Sequence, residues 1–121
     1  MTYRQLIKQV QLASGFSDQE SKDALDGVVT VLSLHLTEGE RRKFASQLPA
    51  ELQAQALSVM PTEETAAEDI FEQFQTVQAV PADRAKKQLL SVWGALKKAL
   101  SGGLLDHVKA QLPKKTAEML H

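Results

Sequence analysis

The sequence contains no cysteine among its 121 residues, which excludes disulfide bonds, thiolate metal ligands and a thiol nucleophile. It also lacks a long apolar run, because no segment approaches the roughly 20 consecutive apolar residues of a bilayer-spanning helix. The first ten residues, MTYRQLIKQV, have no apolar core of the kind found in a secretory signal peptide. We therefore expect a soluble cytoplasmic protein that does not associate with membranes.

Net charge is nearly absent as well, at −1, but the charges are unevenly distributed along the chain. Residues 1–80 contain 6 Lys or Arg and 12 Asp or Glu, whereas residues 81–121 contain 8 and 3. The first segment is therefore acidic and the second basic. A hydrophobic content of 43% with 24% charged residues is typical of a folded globular domain of this length.

An internal repeat with an offset of 64 residues runs through the chain without a gap. Gly39 aligns with Gly103, and the segment Gln47-Leu48-Pro49 aligns with Gln111-Leu112-Pro113. Apolar positions keep the same register, in the pairs Leu25 and Leu89, Val28 and Val92, Leu32 and Leu96, and Leu36 and Leu100. We predict two copies of one structural unit, repeat one at residues 1–60 and repeat two at residues 65–121.

Helical signals dominate both copies, and no alternating strand pattern is present. Residues 17–20 and 37–40 form capping boxes, which predict two helix starts. Pro49 and Pro113 suit the first position of a short helix, where the missing N–H needs no partner. We predict an all-α protein of two tandem repeats, each with about four helices, two long and two short. Since half a chain of this size makes a poor core, we expect one compact domain over residues 1–121.

The second helix of each repeat has apolar residues outside its main stripe. These are Val31 and Leu34 in repeat one, and Leu90 and Ala95 in repeat two. A helix that is apolar on more than one side is usually central in a fold. We therefore expect the two helices to pack together across the interface between repeats, with either pseudo-twofold or tandem geometry.

Two segments carry a resemblance to a known family: ALDGVVTVLSLHLTEGERRKFASQLPAEL and QLLSVWGALKKALSGGLLDHVKAQLPKKT. Each has an apolar helix, a Leu-Thr/Ser-x-Gly turn and a helix that closes on Gln-Leu-Pro. In these motifs the chain resembles a bacterial and archaeal family known as domain of unknown function 2267. The resemblance covers nearly the whole chain, although repeat two departs from it at Trp93 and Gly102. It implies an all-helical fold and brings no catalytic residue, since the family has no established activity.

Few residues offer catalytic or metal-binding chemistry. His35, His107 and His121 lack the paired spacing of metal ligands, so we predict surface histidines, no metal and no cofactor. Free N–H groups at the segment 101–103, after Lys97 and Lys98, could hold a phosphate. The counterpart Gly39 lies between two glutamates, so a turn requirement is the stronger interpretation of the shared glycine. No serine is paired with a His and an Asp, and we expect no enzyme.

The basic residues of repeat two are the candidate partner-binding set: Arg84, Lys86, Lys87, Lys97, Lys98, Lys114 and Lys115. Lys114 and Lys115 are unusual because the first turn of a helix disfavours cations. The alternative interpretation is an ordinary solvated surface.

Three functions are compatible with these patterns. The first is a non-enzymatic helical module that binds another protein or itself, since the two ends of the chain have opposite charge. The second is a nucleic-acid-associated protein that uses its basic C-terminal face, although no recognition helix or exposed aromatic pattern supports it. The third is a helical pocket for an apolar ligand near Trp93, for which core filling is the alternative role.

Overall fold

The structure is a computed structural model that describes residues 1–67 and 69–120. Within these ranges the fold is all-α, as predicted, and contains no strand. The helices are α1 (Tyr3–Ser14), α2 (Asp18–Leu34), α3 (Glu38–Ser46), α4 (Ala50–Leu57), α5 (Glu63–Ala67), α6 (Ile70–Gln78), α7 (Ala82–Ala99), α8 (Gly102–Gln111) and α9 (Lys114–Met119). No helix in the described ranges combines the length and apolar character needed to cross a membrane.

Helix positions in the two halves correspond closely. α7, α8 and α9 begin 64 residues after α2, α3 and α4. The capping boxes at 17–20 and 37–40 start α2 and α3, as predicted. Pro49 and Pro113 lie one residue earlier than predicted, because each is the extended N-cap residue of its helix and its carbonyl accepts the first helical bond.

Repeat two departs from the predicted pattern of two long and two short helices. α6 has 9 residues, whereas its counterpart α1 has 12. The carboxylate of Asp69 accepts hydrogen bonds from the backbone N–H groups of Phe71 and Glu72, which fixes the start of α6 at Ile70. The additional short helix α5, which was not predicted, precedes this cap.

A single hydrophobic core joins the two halves, with α2 and α7 at its centre. As predicted, these two helices pack against each other, and each also packs on both α1 and α6. Their facing stripes are fully buried, at Leu25, Val28 and Leu32 on α2 and at Leu89, Val92 and Leu96 on α7. Because every fully buried Leu or Val contributes about 1.5–3 kcal/mol, this pair is a main source of stability.

Contacts between equivalent elements bear on the geometry of the repeats. α2 packs on its counterpart α7, and α3 packs on its counterpart α8. Glu20 and Arg84, which are 64 residues apart and therefore equivalent, form an ion pair with an O–N distance of 2.8 Å. A local twofold axis brings equivalent residues together, whereas tandem stacking separates them by one repeat. The contacts favour pseudo-twofold geometry, although the repeat arrangement itself stays a prediction.

The shared glycines Gly39 and Gly103 do not serve the turn for which they were predicted. Both lie inside the first turn of a helix, and neither has a positive φ. A Cβ atom at either position would meet nothing within 4 Å. The turn interpretation is therefore wrong, because a helical backbone with negative φ does not require glycine. The left-handed residues of the described ranges are Gly15 and Ala79, in a different connection.

Gly15 and Ala79 are equivalent C-caps that follow α1 and α6. Both are left-handed, with φ of 77° and 54°, and their N–H groups donate to the carbonyls of Gln11 and Gln75. Glycine adopts this conformation without strain, whereas an L-residue with a Cβ pays roughly 1–2 kcal/mol. The same backbone turn is therefore made with strain only in repeat two.

This difference predicts opposite effects of substitution at the two caps. Ala79→Gly should raise the free energy of unfolding by about 1 kcal/mol, because it removes the strain. Gly15→Ala should lower it by a similar amount, since a Cβ at Gly15 has open space and adds only strain. Chemical denaturation of both variants measures these changes. Changes of the same sign at both caps would contradict the shared left-handed geometry.

Candidate interaction surface

The outward side of α7 carries most of the predicted basic set. Helix formers such as Ala, Leu and Lys dominate α7, and its core stripe holds the opposite side against α2 and α6. Lys86, Lys87, Lys97 and Lys98 are all exposed. From residue 86 to residue 98 the helix rises about 18 Å, so these four lysines line one extended face.

α1 lies antiparallel beside this face. Near the end of α7, the Lys98 ammonium donates to Gln9 Oε1 at 2.7 Å. Near its start, Arg84 and Lys87 lie 4.1 and 5.2 Å from the centroid of the Phe16 ring, just after the end of α1. Both cations are close enough for a cation–π interaction.

A shallow groove of about 300 Å³ lies between α1 and α7. Its lining residues are Gln9, Leu12, Ala13, Gly94, Ala95 and Lys98. The side chain of Leu12 is 72% exposed, and that of Leu90, one turn before Gly94, is 40% exposed. Leu12 therefore lines the groove and Leu90 lies one turn before its Gly94, while the other lining residues are small, amide or basic.

Sequence reasoning missed this groove. Of the apolar residues outside the main stripe of α7, Leu90 is exposed and does not contribute to the core. Ala95 is buried, as is Val31, while Leu34 is half-buried. The available signal was that Leu12 and Leu90 both fall outside the apolar stripe of their own helix.

We define the α1–α7 face as the exposed residues Lys8, Leu12, Lys87, Leu90, Gly94 and Lys98. Ion pairs in the described ranges use Arg4, Lys22, Arg42 and Arg84 as their cations. None of the three lysines of the face has a carboxylate partner among the described residues. The face is therefore apolar at its centre and carries uncompensated positive charge around it.

Arg84 has an internal role and does not belong to this face. Its guanidinium bridges to Glu20 across the two halves and covers Phe16. Glu20 also closes the capping box of α2 by accepting from the backbone N–H of Ser17 at 2.9 Å. This N–H and then the Arg84 guanidinium lower the pKa of Glu20 to about 2. Arg84 thus connects the repeats instead of facing a partner.

Lys114 and Lys115 are exposed in the first turn of α9, a separate helix. α9 is fixed by the buried side chain of Thr116, and Leu120 after it is buried too. These two lysines are not part of the α1–α7 face, so the predicted basic set divides between two helices.

The histidines do not form a metal site in the described ranges, where no three His, Asp or Glu side chains are grouped closely enough to hold an ion. His107 is exposed, and His121 lies outside the described residues.

His35 is buried, so its prediction as a surface histidine is wrong. Its Nε2 lies 2.7 Å from Gln73 Oε1, and Gln73 Nε2 donates to the carbonyl of Thr65. This bonded chain joins α2 to α6 and α5.

The candidate phosphate site at residues 101–103 is covered by Gln47. Ser101 N–H donates to Gln47 Oε1 at 2.9 Å, and Gln47 Nε2 donates to Ser101 Oγ at 3.2 Å. The amide of one half therefore caps a helix of the other half, and the Ser101 donor is already bonded. Gln47 of the Gln-Leu-Pro segment has a structural role that its exposed counterpart Gln111 does not share.

Trp93 fills the core, since it is only 4% exposed. The depression beside it has a volume of about 220 Å³ and is also lined by Lys97, Gly102 and Lys109. Pockets for drug-sized ligands usually measure about 300–1,000 Å³ and are mostly apolar. The geometry near Trp93 therefore gives little support to an apolar-ligand pocket.

The Gln47 cap predicts an asymmetry between the repeats. Gln47→Ala should lower the free energy of unfolding by about 1 kcal/mol, because two exposed hydrogen bonds to Ser101 are lost. Gln111→Ala is the matched control and should have almost no effect, since the structure gives its side chain no hydrogen bond. Thermal or urea unfolding compares them, and equal losses would contradict the cap.

The Glu20 pKa predicts a specific acid dependence of stability. Its folded pKa of about 2 lies below the unfolded value of 4.5, so its contribution is fully present above pH 4.5 and is lost as the pH falls towards 2. Glu20→Gln should remove this part of the pH dependence. Side-chain NMR titration should also find the Glu20 pKa raised in Arg84→Ala. An unchanged pKa in that variant would contradict the Arg84 contribution.

Comparison with known proteins places the chain in a family. None of the curated proteins matches it significantly. A family described as "Uncharacterized conserved protein (DUF2267)" matches residues 3–119, which is nearly the full chain and includes every described helix. The resemblance seen in the Gln-Leu-Pro segments is thereby confirmed, and the chain belongs to the DUF2267 family.

Proposed function

We propose that this protein is a non-enzymatic helical module that binds an acidic protein partner through the α1–α7 face. The observation that carries the proposal is the exposure of Leu12 and Leu90 beside Lys8, Lys87 and Lys98. Exposed apolar side chains that adjoin a groove and are rimmed by polar residues are typical of protein-binding surfaces.

The lysines of the α1–α7 face, Lys8, Lys87 and Lys98, favour an acidic partner. Two of these lysines contact neutral groups only, the Phe16 ring for Lys87 and the Gln9 amide for Lys98. Their charge is therefore available to attract carboxylates, which speeds encounter and selects against basic partners.

The absence of enzymatic activity is part of this proposal. Polar side chains that could act chemically have structural roles instead: Ser17 and Ser101 cap helices, and Ser14 Oγ donates to the carbonyl of Val10. His35 Nε2 is bonded to Gln73 in the protein interior. These assignments support a binding role over a catalytic one.

A second copy of the chain is one acidic partner available to the face. Exposed carboxylates at Glu63, Glu64, Asp69 and Glu72 lie in α5 and at the start of α6. Contact between that region and the α1–α7 face of another copy would join two different patches, and the rotation between copies would decide whether closed oligomers or open chains form. Light scattering across protein and salt concentration distinguishes a monomer from such assemblies.

Charge reversal tests the proposal. Wild type, Lys87→Glu/Lys98→Glu and the matched control Lys114→Glu/Lys115→Glu are each immobilised at low salt and exposed to lysate of the native host. We expect wild type and control to retain the same acidic protein, and the face variant to lose most of it, because like charges then meet.

Three outcomes would contradict this expectation. Equal recovery by all three proteins would show that the face does not bind. Loss in the Lys114→Glu/Lys115→Glu control alone would move the site to α9. Recovery of nucleic acid, with a steep loss of binding as salt rises, would replace the proposal with the nucleic-acid alternative.

A further inference from the structure

We infer that the α1–α7 groove accepts one acidic amphipathic α-helix, whose apolar side chains lie between Leu12 and Leu90. This inference rests on the proposed function and specifies the partner. It is carried by three observations: the small floor residues of the groove, the exposed side chains of Leu12 in its lining and of Leu90 one turn before Gly94, and the spacing of lysines along α7.

Small residues form the floor of the groove, with Ala13 on α1 and Gly94 and Ala95 on α7. A Cβ atom at Gly94 would meet nothing within 4 Å, so the space above this residue is open. Helices pack closely where small residues let the ridges of one helix enter the grooves of another. The floor therefore permits a third helix to lie against α1 and α7.

Leu12 and Leu90 supply the apolar contacts. They belong to different helices, α1 and α7, and both extend into solvent. The apolar face of an amphipathic helix presents side chains at i, i+3, i+4 and i+7. A helix laid over Gly94 would direct this stripe to Leu12 in the groove lining and towards Leu90, one turn before Gly94 on α7. Burial of these two side chains would favour binding, because it would remove their apolar surface from water.

Lysine spacing matches the length of a short helix. Lys98 lines the groove and contacts Gln9 of α1. Lys87 lies two turns before Gly94 on α7, beside Phe16, which follows the end of α1. Eleven residues of α7 separate them, or about 17 Å. A partner helix of three turns has nearly the same length, about 16 Å, so carboxylates in its first and last turns would reach both lysines.

The apolar centre also favours a protein helix over nucleic acid. Single strands bind through exposed aromatic platforms, whereas Phe16 and Trp93 are 7% and 4% exposed. A phosphate backbone gains nothing from Leu12, Leu90 and Gly94. Lysines around an apolar centre fit a helix that is acidic on one side and apolar on the other.

Fluorescence anisotropy tests the inference with two labelled probes. One is a peptide of about 15 residues built from Leu, Ala and Glu with the leucines on one helical face, and the other has the same composition in scrambled order. We expect wild type to bind the amphipathic peptide at low salt and the scrambled peptide at least about tenfold more weakly.

Variants of the full chain locate the binding. Leu12→Ala/Leu90→Ala should weaken binding of the amphipathic peptide about tenfold or more, because truncating anchor residues is costly, whereas Leu57→Ala, which changes a leucine that is 53% exposed elsewhere, should not. Gly94→Leu should also weaken binding of the amphipathic peptide, because the new side chain would fill the open space above residue 94. Circular dichroism should show intact helices in every variant.

The outcomes separate this inference from the proposed function. Equal binding of both peptides, or equal effects of Leu12→Ala/Leu90→Ala and Leu57→Ala, would overturn the helix inference. If the peptide fails to bind but charge reversal still removes the captured protein, the proposed function stands and the occupant has another shape. If the peptide does not bind and charge reversal does not remove a captured protein, both the helix inference and the proposed function are wrong. Displacement of the peptide by low concentrations of DNA, in a manner sensitive to Lys87→Glu/Lys98→Glu, would favour nucleic acid as the occupant.

Discussion

The packing of α2 against α7 is the contact on which the rest of the structure depends. Each helix buries a full apolar stripe, and their crossing joins the two halves of the chain into one core. Neither half could exclude water from these residues alone, because each central helix packs on the other and on helices of both halves. The hydrophobic effect therefore requires both repeats to fold together, and the surrounding helices take their positions from this pair.

Burial of one side of α7 also determines which of its residues are exposed to solvent. Since the core stripe faces α2 and α6, the lysines of α7 and Leu90 are turned outward, and α1 is held beside them. Gly94 then leaves open space where another residue would have filled the gap between α1 and α7. The candidate interaction surface is thus a consequence of core packing combined with a few residues that the core does not use.

Departures from the repeat show where the two halves have become specialised. The left-handed cap is a glycine in repeat one and a strained alanine in repeat two. Gln47 and Gln111 are both exposed, but only Gln47 bonds to the start of a helix in the opposite half. Glu20 and Arg84 occupy equivalent positions with opposite charge, which lets them attract each other where two copies of either residue would repel. This ion pair joins α2 to the start of α7.

The sequence by itself determined the helical class and the starts of α2 and α3, and it also predicted the packing of α2 on α7. The helical class and these two starts follow from local periodicity and capping, which depend on residues a few positions apart. The packing prediction came instead from apolar residues outside the main stripe of each helix. Only the tertiary structure decided that His35 is buried against Gln73, that Gln47 covers the start of α8 and that Arg84 pairs with Glu20. It also decided that Leu12 of α1 and Gly94 of α7 line one exposed groove, because the neighbours of a side chain that lies outside its helix's apolar stripe come from distant parts of the chain.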